Sequence, residues 1–477
     1  MLDRFDQIGG FDVLEEAITL SREWLKLQPE SHPDRTIFIN SLATALERRF
    51  QRSGQREDLE EAISLHREAL ELRPAPHPYR SSSLGNLANA LRLRFEQSGQ
   101  REDLEEAISL QREALELRPA PHPSRSNSLN NLASALRVRF EQSGRHEDLE
   151  EAISLHREAL KLRPAPDPYR PNSLDHLALA LVLRFDQSGQ RKDLEEAISL
   201  QREALELQPA PHPYRSNSLD NLALALRQRF QQSGRCKDLE EAISLHREAL
   251  KWRPAPHPYR SHSLDNLAIA LRWQFDQSGQ HEDLEEAIPL HREALKLRRA
   301  PHPHQSGSLD TLALTLRLRF EQSGQHEDLA EAMSLHREAL ELQPADHPYR
   351  SNPLINLASA LHLRFQQSGQ CRDLEEAISL LREALKLDHA AHPNRSISQN
   401  NLARALRLKF EQSGQREDLQ EAISLHREAL KFQTAPHRYR STPLSGLDLA
   451  LRLQFEQSGQ REDLEEAISL EPEALAL

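Results

Sequence analysis

The sequence predicts an all-α fold, an α-solenoid, and three observations carry that prediction. The 477 residues repeat at a period of 45 without a slip. Each period holds two stretches whose apolar residues recur at helical spacing. Glycine and proline punctuate those stretches at fixed places. The motif Asp-Leu-x-Glu-Ala sets its leucine at Leu59, Leu104, Leu149, Leu194, Leu239, Leu284, Leu329, Leu374, Leu419 and Leu464, with Leu14 one period earlier. Of the 15 glycines, eleven share one repeat position, from Gly9 and Gly54 to Gly459. A period of this length marks a solenoid, whose units bury their apolar faces only against neighbours. Residues 1–477 are therefore expected to form one continuous array of about ten 45-residue helix-turn-helix units, with incomplete repeats at 1–13 and 459–477.

Residues 54–98 serve as the type unit. Asp58, with Glu61 three residues on, has the spacing of an N-cap and its capping-box partner. Helix A is thus expected to start near Asp58, and in other units near Asp103, Asp148, Asp193, Asp238, Asp283, Asp328, Asp373, Asp418 and Asp463. Leu59, Ala62, Ile63, Ala69 and Leu70 hold one side of it, and Glu60, Ser64, Arg67, Glu68 and Glu71 the other. The run must stop at Arg73-Pro74, and Pro74, Pro76 and Pro78 make a stiff connector. Helix B follows, with Ser81 as its expected N-cap, Leu84, Leu87, Ala88, Leu91 and Phe95 as its stripe, and Gly99 as its stop.

One unit breaks the pattern. Pro289 lies inside a helix A, where a lost hydrogen bond costs ~3 kcal/mol. Arg299 and His304 replace the usual Pro and Tyr, so local opening is expected between residues 284 and 310. Pro472 puts the same fault into the last helix.

Composition narrows the function. The net charge of -13 opposes nucleic acid or anionic membrane as the main partner. No apolar run reaches the ~20 residues of a membrane span, and the N-terminus lacks the layout of a signal peptide. Cys236 and Cys371 lie three repeats apart, which argues against a disulfide and for a reducing, cytoplasmic setting. They occupy polar turns with no oriented base nearby, so no catalytic role is expected. Two histidine rows recur, His66, His156, His246, His291, His336 and His426 in helix A, and His77, His122, His212, His257, His302, His347, His392 and His437 in the connector. Equivalent residues of stacked helices stand ~10 Å apart. Metal bonds need ~2 Å, so neither row reads as a metal site and no cofactor is expected.

Asn86-Leu87-Ala88, Gly99, Ala107-Ile108 and Ala114-Leu115 before Pro119 resemble the tetratricopeptide repeat, over the whole chain. The departure is length, since the ordinary unit has about 34 residues. Long units with this D-L-E-E-A-I-S-L-H-R-E-A-L run are similar to arrays of fungal proteins that also carry a caspase-like CHAT peptidase, which this sequence lacks. The resemblance implies a right-handed superhelix with helix B on the concave face.

On helix B, the residue before the opening leucine is Ser41, Asn86, Asn131, His176, Asn221, Asn266, Thr311, Asn356, Asn401 or Gly446. Six asparagines form a ladder whose amides both donate and accept, which suits an extended peptide backbone. Beside it run Asp175, Asp220, Asp265 and Asp310; then Leu179, Leu224, Ile269 and Leu314; then Arg227, Arg272 and Arg317. An apolar strip between opposite charges has the character of a peptide groove. The expected function is a non-catalytic scaffold that binds partner proteins or peptides on this surface. An alternative is the sensing arm of a larger protein with an effector such as the peptidase. A more distant one is RNA binding by the stripe Arg92/Arg94, Arg137/Arg139, Arg227/Arg229 and Arg317/Arg319, against which salt bridges to neighbouring acids are the favoured reading. Phe5 aligns with Phe50 and Leu477 with Leu72, so neither end offers a polar cap. That leaves self-association through the ends, or a fragment of a longer chain, as expectations.

Overall fold

A computed structural model describes residues 11–27, 29, 32, 34–210, 212, 215–255, 257, 259–298, 305–345, 347, 350–388, 394–432 and 440–476. Phe5, Gly9, Arg299, His302, His304, His392, His437 and Leu477 of the sequence reading lie outside them. The described residues form 21 helices, α1 (Phe11–Leu27) through α21 (Arg461–Ala476), and no strand. Odd-numbered helices are the A helices and even-numbered ones the B helices. The fold is an all-α solenoid, as the repeat predicted. Its helices gather into two compact units, one ending at Thr311 and one starting at Leu312. Among the described residues no helix is long and apolar enough to cross a membrane.

The type unit consists of α3 (Arg56–Glu71) and α4 (Arg80–Ser98), followed by α5 (Arg101–Glu116). Helix B ends where expected: Gly99 adopts φ 74°, and its N–H donates to the Phe95 carbonyl at 2.8 Å. A side chain resists this left-handed conformation, which is why glycine holds the position. The helix starts differ from expectation. Extended Gln55 precedes α3 and no side chain caps it. Asp58 instead sits inside the first turn, where its charge favours the helix N-terminus. Likewise Tyr79 precedes α4 without a side-chain cap, and Ser81 is buried within the helix. Both residues are needed elsewhere, as partners of arginines.

Apart from the helix B that spans the boundary of the two units, Gln305–Ser323, each helix B packs most closely against the helix A that follows it across the glycine turn. The packing to the helix A before it, across the longer connector, is looser. A representative core joins Phe50, Leu59, Ile63, Leu87, Ala88, Leu91 and Ala107, all nearly sealed from water. Those residues come from four successive helices, starting with α2 (Arg35–Ser53). Burying each leucine or phenylalanine contributes about 1.5–3 kcal/mol.

A recurring arginine ties the same helices by charge. Arg94, near the end of α4, donates to both oxygens of Asp103 in α5, at 2.8 and 2.6 Å, and to Glu60 in α3 at 2.8 Å. Arg49, Arg139, Arg184 and Arg229 repeat the clamp on Asp58, Asp148, Asp193 and Asp238. This is where the Asp58 carboxylate goes. The other row of the stripe differs from the expected bridges to an adjacent helix: Arg92, Arg137 and Arg317, with Arg407 beyond the stripe, pair with a glutamate one turn on in their own helix, and Arg227 has Gln231 at that place.

At α12 (Arg260–Ser278) glutamine replaces the clamp, and Gln274 gives Asp283 a single bond of 3.0 Å. Burial then pushes the Asp283 carboxyl up, a Ser278 hydrogen bond opposes it, and Glu286 and Glu282 add to the rise. Gln274→Arg is expected to restore the clamp and stabilise the chain by roughly 1 kcal/mol, read as a higher urea midpoint. The fault at Pro289 is local, since α13 runs unbroken from His281 to Leu297. Pro289→Ser should recover ~3 kcal/mol and slow hydrogen exchange across residues 284–298. Exchange in the parent that is slowest in this segment would contradict the assignment.

Candidate functional site

The predicted binding residues lie on helix B, on one face at successive turns. Asn86, Asn131, Asn221 and Asn266 in the first unit, and Asn356 and Asn401 in the second, are all half-buried. So are Leu224, Ile269, Arg227 and Arg272, one and two turns further along. Asn86 donates to Asn40 at 3.3 Å, and Asn266 meets His262 at 2.9 Å. Arg272 lies over the Trp273 ring at 5.4 Å.

The aspartates belong to another environment. Asp220 and Asp265 were placed beside the groove by their spacing, but both are buried and fully engaged inside the array. Asp220 accepts from His246 of α11 (Cys236–Lys251) at 2.7 Å, from Ser263 at 2.7 Å, and from Arg253. Asp265 has the same set: His291 at 2.8 Å, Ser308 at 2.8 Å, and Arg298. Burial alone would raise the Asp220 carboxyl. The His246 hydrogen bond, with the charges of His246 and Arg253, outweighs burial and holds it below the usual range. Asp265 follows the same course with His291 and Arg298. These carboxylates neutralise buried arginines and cannot also present themselves to a ligand.

The layer they form varies along the first unit. Asp175 has Gln208 where the next repeat's arginine should be, and Gln201 where the histidine should be. Burial pushes its carboxyl up to about 7, against hydrogen bonds from Ser218 and Asn221. Asn130 keeps the geometry without the charge, meeting His156 at 2.9 Å and Ser173 at 3.0 Å. Gly85 keeps neither, and Gln111 fills the place of the histidine and donates to the Gly85 carbonyl. Around these uncharged positions the helix-B face opens a recess of about 380 Å³, into which Asn86, Asn131, His176, Arg118, Arg163 and Tyr169 project. His176 is exposed along this recess, and the protein around it, with the positive charges of Arg137, Arg92 and Arg163, pushes its pKa down to about 4.

The sequence reading takes Arg73 only as the end of a helix A and does not single out Arg118 or Arg163. Their signal was available, because an arginine before the proline recurs at the repeat period. The helix-A histidines are core residues, with His66, His156, His246, His291, His336 and His426 all buried. In the connectors, His77, His122 and His257 accept the backbone N–H two residues on, at 3.0–3.2 Å. Cys236 and Cys371 are exposed and unpaired.

The paired helices, the glycine turn and the small residues at the crossings meet their counterpart in a known family. The tetratricopeptide repeat profile matches residues 39–79, 80–124, 126–167, 216–259, 261–304, 306–349 and 397–437, more than half of the chain. The chain belongs to the tetratricopeptide repeat family. No curated protein matches it. Among solved structures, the human IFIT1 dimer with m7Gppp-AAAA is similar at TM-score 0.56 and 15% identity, covering 98% of this chain and 95% of that one. The IFIT1 monomeric mutant with Gppp-AAAA is similar at TM-score 0.55, with the same identity and coverage. These likenesses show a shared fold. A Podosopora anserina kinesin light chain with nearly identical TPR-like repeats is 23% identical, covers 46% of this chain and 98% of its own, and has a TM-score of 0.34.

Asp175 gives the tetratricopeptide array a pH dependence with a definite sign. Its folded-state pKa of about 7 stands above the ~3.9 of an unfolded aspartate. The stability it contributes is complete below about pH 4 and is lost as pH rises through about 7. Asp175→Asn should therefore be more stable than the parent near pH 8, by ~3 kcal/mol, with the gap narrowing near pH 4.5. Paired urea titrations at the two pH values measure this.

Proposed function

We propose that this chain is a non-catalytic scaffold in the cytoplasm that binds partner proteins or peptides along the helix-B face. The observation that carries the reading is the row of half-buried asparagines flanked by half-buried Leu224 and Ile269 and by Arg227 and Arg272. Such a face offers paired amide donors and acceptors, an apolar strip and a charged rim, the combination that recognises an extended chain. The packing supports the choice of face. Within each unit the backbones of successive B helices come close together, whereas successive A helices stand further apart and meet through long side chains, as in the Arg67–Glu106 and Arg112–Glu151 ion pairs. That closer approach supports the B side as the inner one, on which a ligand would meet several repeats at once. The exposed, unpaired Cys236 and Cys371 suit a reducing compartment.

RNA binding is the competing reading, favoured by the IFIT1 structures with m7Gppp-AAAA and PPP-AAAA. The charge layout of this chain weighs against it. Arg92, Arg137, Arg317 and Arg407 are already paired with glutamates, and the chain carries a net charge of -13. A phosphate backbone would have to displace those acids.

Peptides selected against the full chain from a display library provide the test. Leu224→Asp combined with Ile269→Asp should abolish their binding while helical content and the melting curve stay near those of the parent. Binding that survives the double variant would remove the helix-B face as the site. Steeply salt-dependent binding of an RNA oligomer, lost in the same variant, would favour the competing reading.

A further inference from the structure

Two repeats of this chain show what belongs beneath its buried arginines. Arg253 reaches back to Asp220 of the preceding repeat, and Arg298 to Asp265, each with serine hydroxyls completing the shell. Three earlier repeats keep the arginine and drop the carboxylate: Arg73, with Asn40 in its place, and the two at the recess, Arg118 and Arg163. Arg118 is 7% exposed and bonds to Ser81 and Ser82 at 3.0 Å, to Ser128 at 2.6 Å and to the Ser124 carbonyl at 3.5 Å. None of these partners carries charge. The position equivalent to Asp220 is Gly85, and a Cβ built there would meet nothing nearer than the Gln111 side-chain oxygen at 3.9 Å. Arg163 is 4% exposed and bonds to Ser126, Asn127, Ser173 and the Tyr169 carbonyl. Asp167 lies near enough to favour its charge without forming an ion pair with it, and Asn130 occupies the place of the aspartate.

A buried guanidinium that bonds to neutral groups alone is an unfavourable arrangement, because its charge has left water without an ion-pair partner in return. Burial pushes Arg118 and Arg163 down from their usual value, and at Arg118 no neighbouring carboxylate opposes it as Asp220 does at Arg253. The deficit coincides with the recess of about 380 Å³ described above, open on the helix-B face, with Asn86 and Asn131 beside it.

We propose that this recess is a carboxylate-binding pocket, in which an aspartate or glutamate side chain of a partner protein takes against Arg118 the place that Asp220 and Asp265 fill from within the chain. The inference rests on the scaffold reading and specifies its partner chemistry. A carboxylate is favoured over a phosphate because the chain's own template is a carboxylate held by one guanidinium and a serine hydroxyl. Asn86 and Asn131 stand where the backbone flanking such a side chain would pass.

The test uses the full chain with nitrogen-15-labelled arginine and two probes, acetyl-Gly-Asp-Gly-amide and its Asn counterpart. The Asp peptide should shift the Arg118 Nε–H resonance saturably, and the Asn peptide should bind at least about tenfold more weakly. Gly85→Asp supplies the missing carboxylate from within, so it should erase the response and raise the melting temperature without ligand. Asn130→Asp is the second such variant, acting through Arg163, and its side chain already fits that position. Equal responses to the two peptides, or a response that survives both variants, would overturn the pocket. A 5′-phosphorylated oligonucleotide that shifts Arg118 where the Asp peptide does not would overturn it in favour of nucleic acid. Failure of the pocket leaves the scaffold reading to the Leu224/Ile269 double variant, which does not touch this recess.

Discussion

Everything in this fold depends on the wedging of each helix B between the helix A before it and the helix A after it. No helix pair can close its own core. Phe50, Leu59, Leu87 and Ala107 share one cluster although they belong to four successive helices. A unit removed from its neighbours would expose half of that cluster, at about 25 cal/mol for each square ångström of apolar surface. The clamp at Arg94 obeys the same logic in charge, bridging Glu60 and Asp103 across the helix that carries it. Stability is therefore a property of interfaces, and a fault in one repeat is felt by its two neighbours before it is felt elsewhere.

The same sharing governs the polar layer. A guanidinium that closes one helix A is buried against the helix B of the preceding repeat, so its counter-charge has to come from a different unit. Asp220 answers Arg253 and Asp265 answers Arg298. Such a layer is costly when incomplete, because the desolvation of each ion is offset only by the partner opposite. In several repeats one half of such a pair stands without the other. Asp175 without its arginine, and Arg118 without its aspartate, are the two kinds of remainder. The first is relieved by protonation, which its raised pKa records. An arginine has no such escape at any ordinary pH.

Most of the architecture was legible because periodicity is a statement about the whole chain. The 45-residue repeat, the apolar stripes of Leu59 and Leu87 and the glycine stop at Gly99 each recur, and recurrence averages out local ambiguity. Helix caps were less legible. Asp58 followed by Glu61 satisfies the capping-box pattern, yet a cap and a salt-bridge acceptor are the same residue type, and only Arg49 in the folded chain decides between them. The face of an aspartate was illegible for a related reason. Asp220 is one residue before Asn221, so helical spacing places both at the edge of one surface, a difference of about 100°. Which of the two turns inward depends on Arg253, 33 residues away, and no local pattern contains that.

A repeat protein contains its own comparison series, and this one uses it at a single geometric point. At the position of Gly85 the chain offers glycine, asparagine and aspartate in successive units, each facing a related shell of serines and a helix-A histidine or glutamine. The backbone is held constant by the repeat, so the differences between units are differences of side-chain chemistry. Where the aspartate has both partners, its carboxyl lies below the usual range, as at Asp220 and Asp265. Where it lacks both, it rises to about 7, as at Asp175. Where the carboxylate is absent, the space remains and opens to solvent beside Asn86 and Asn131. The surface is thereby uneven along a chain whose backbone repeats. Its chemical identity is concentrated in the units where the internal charge balance fails.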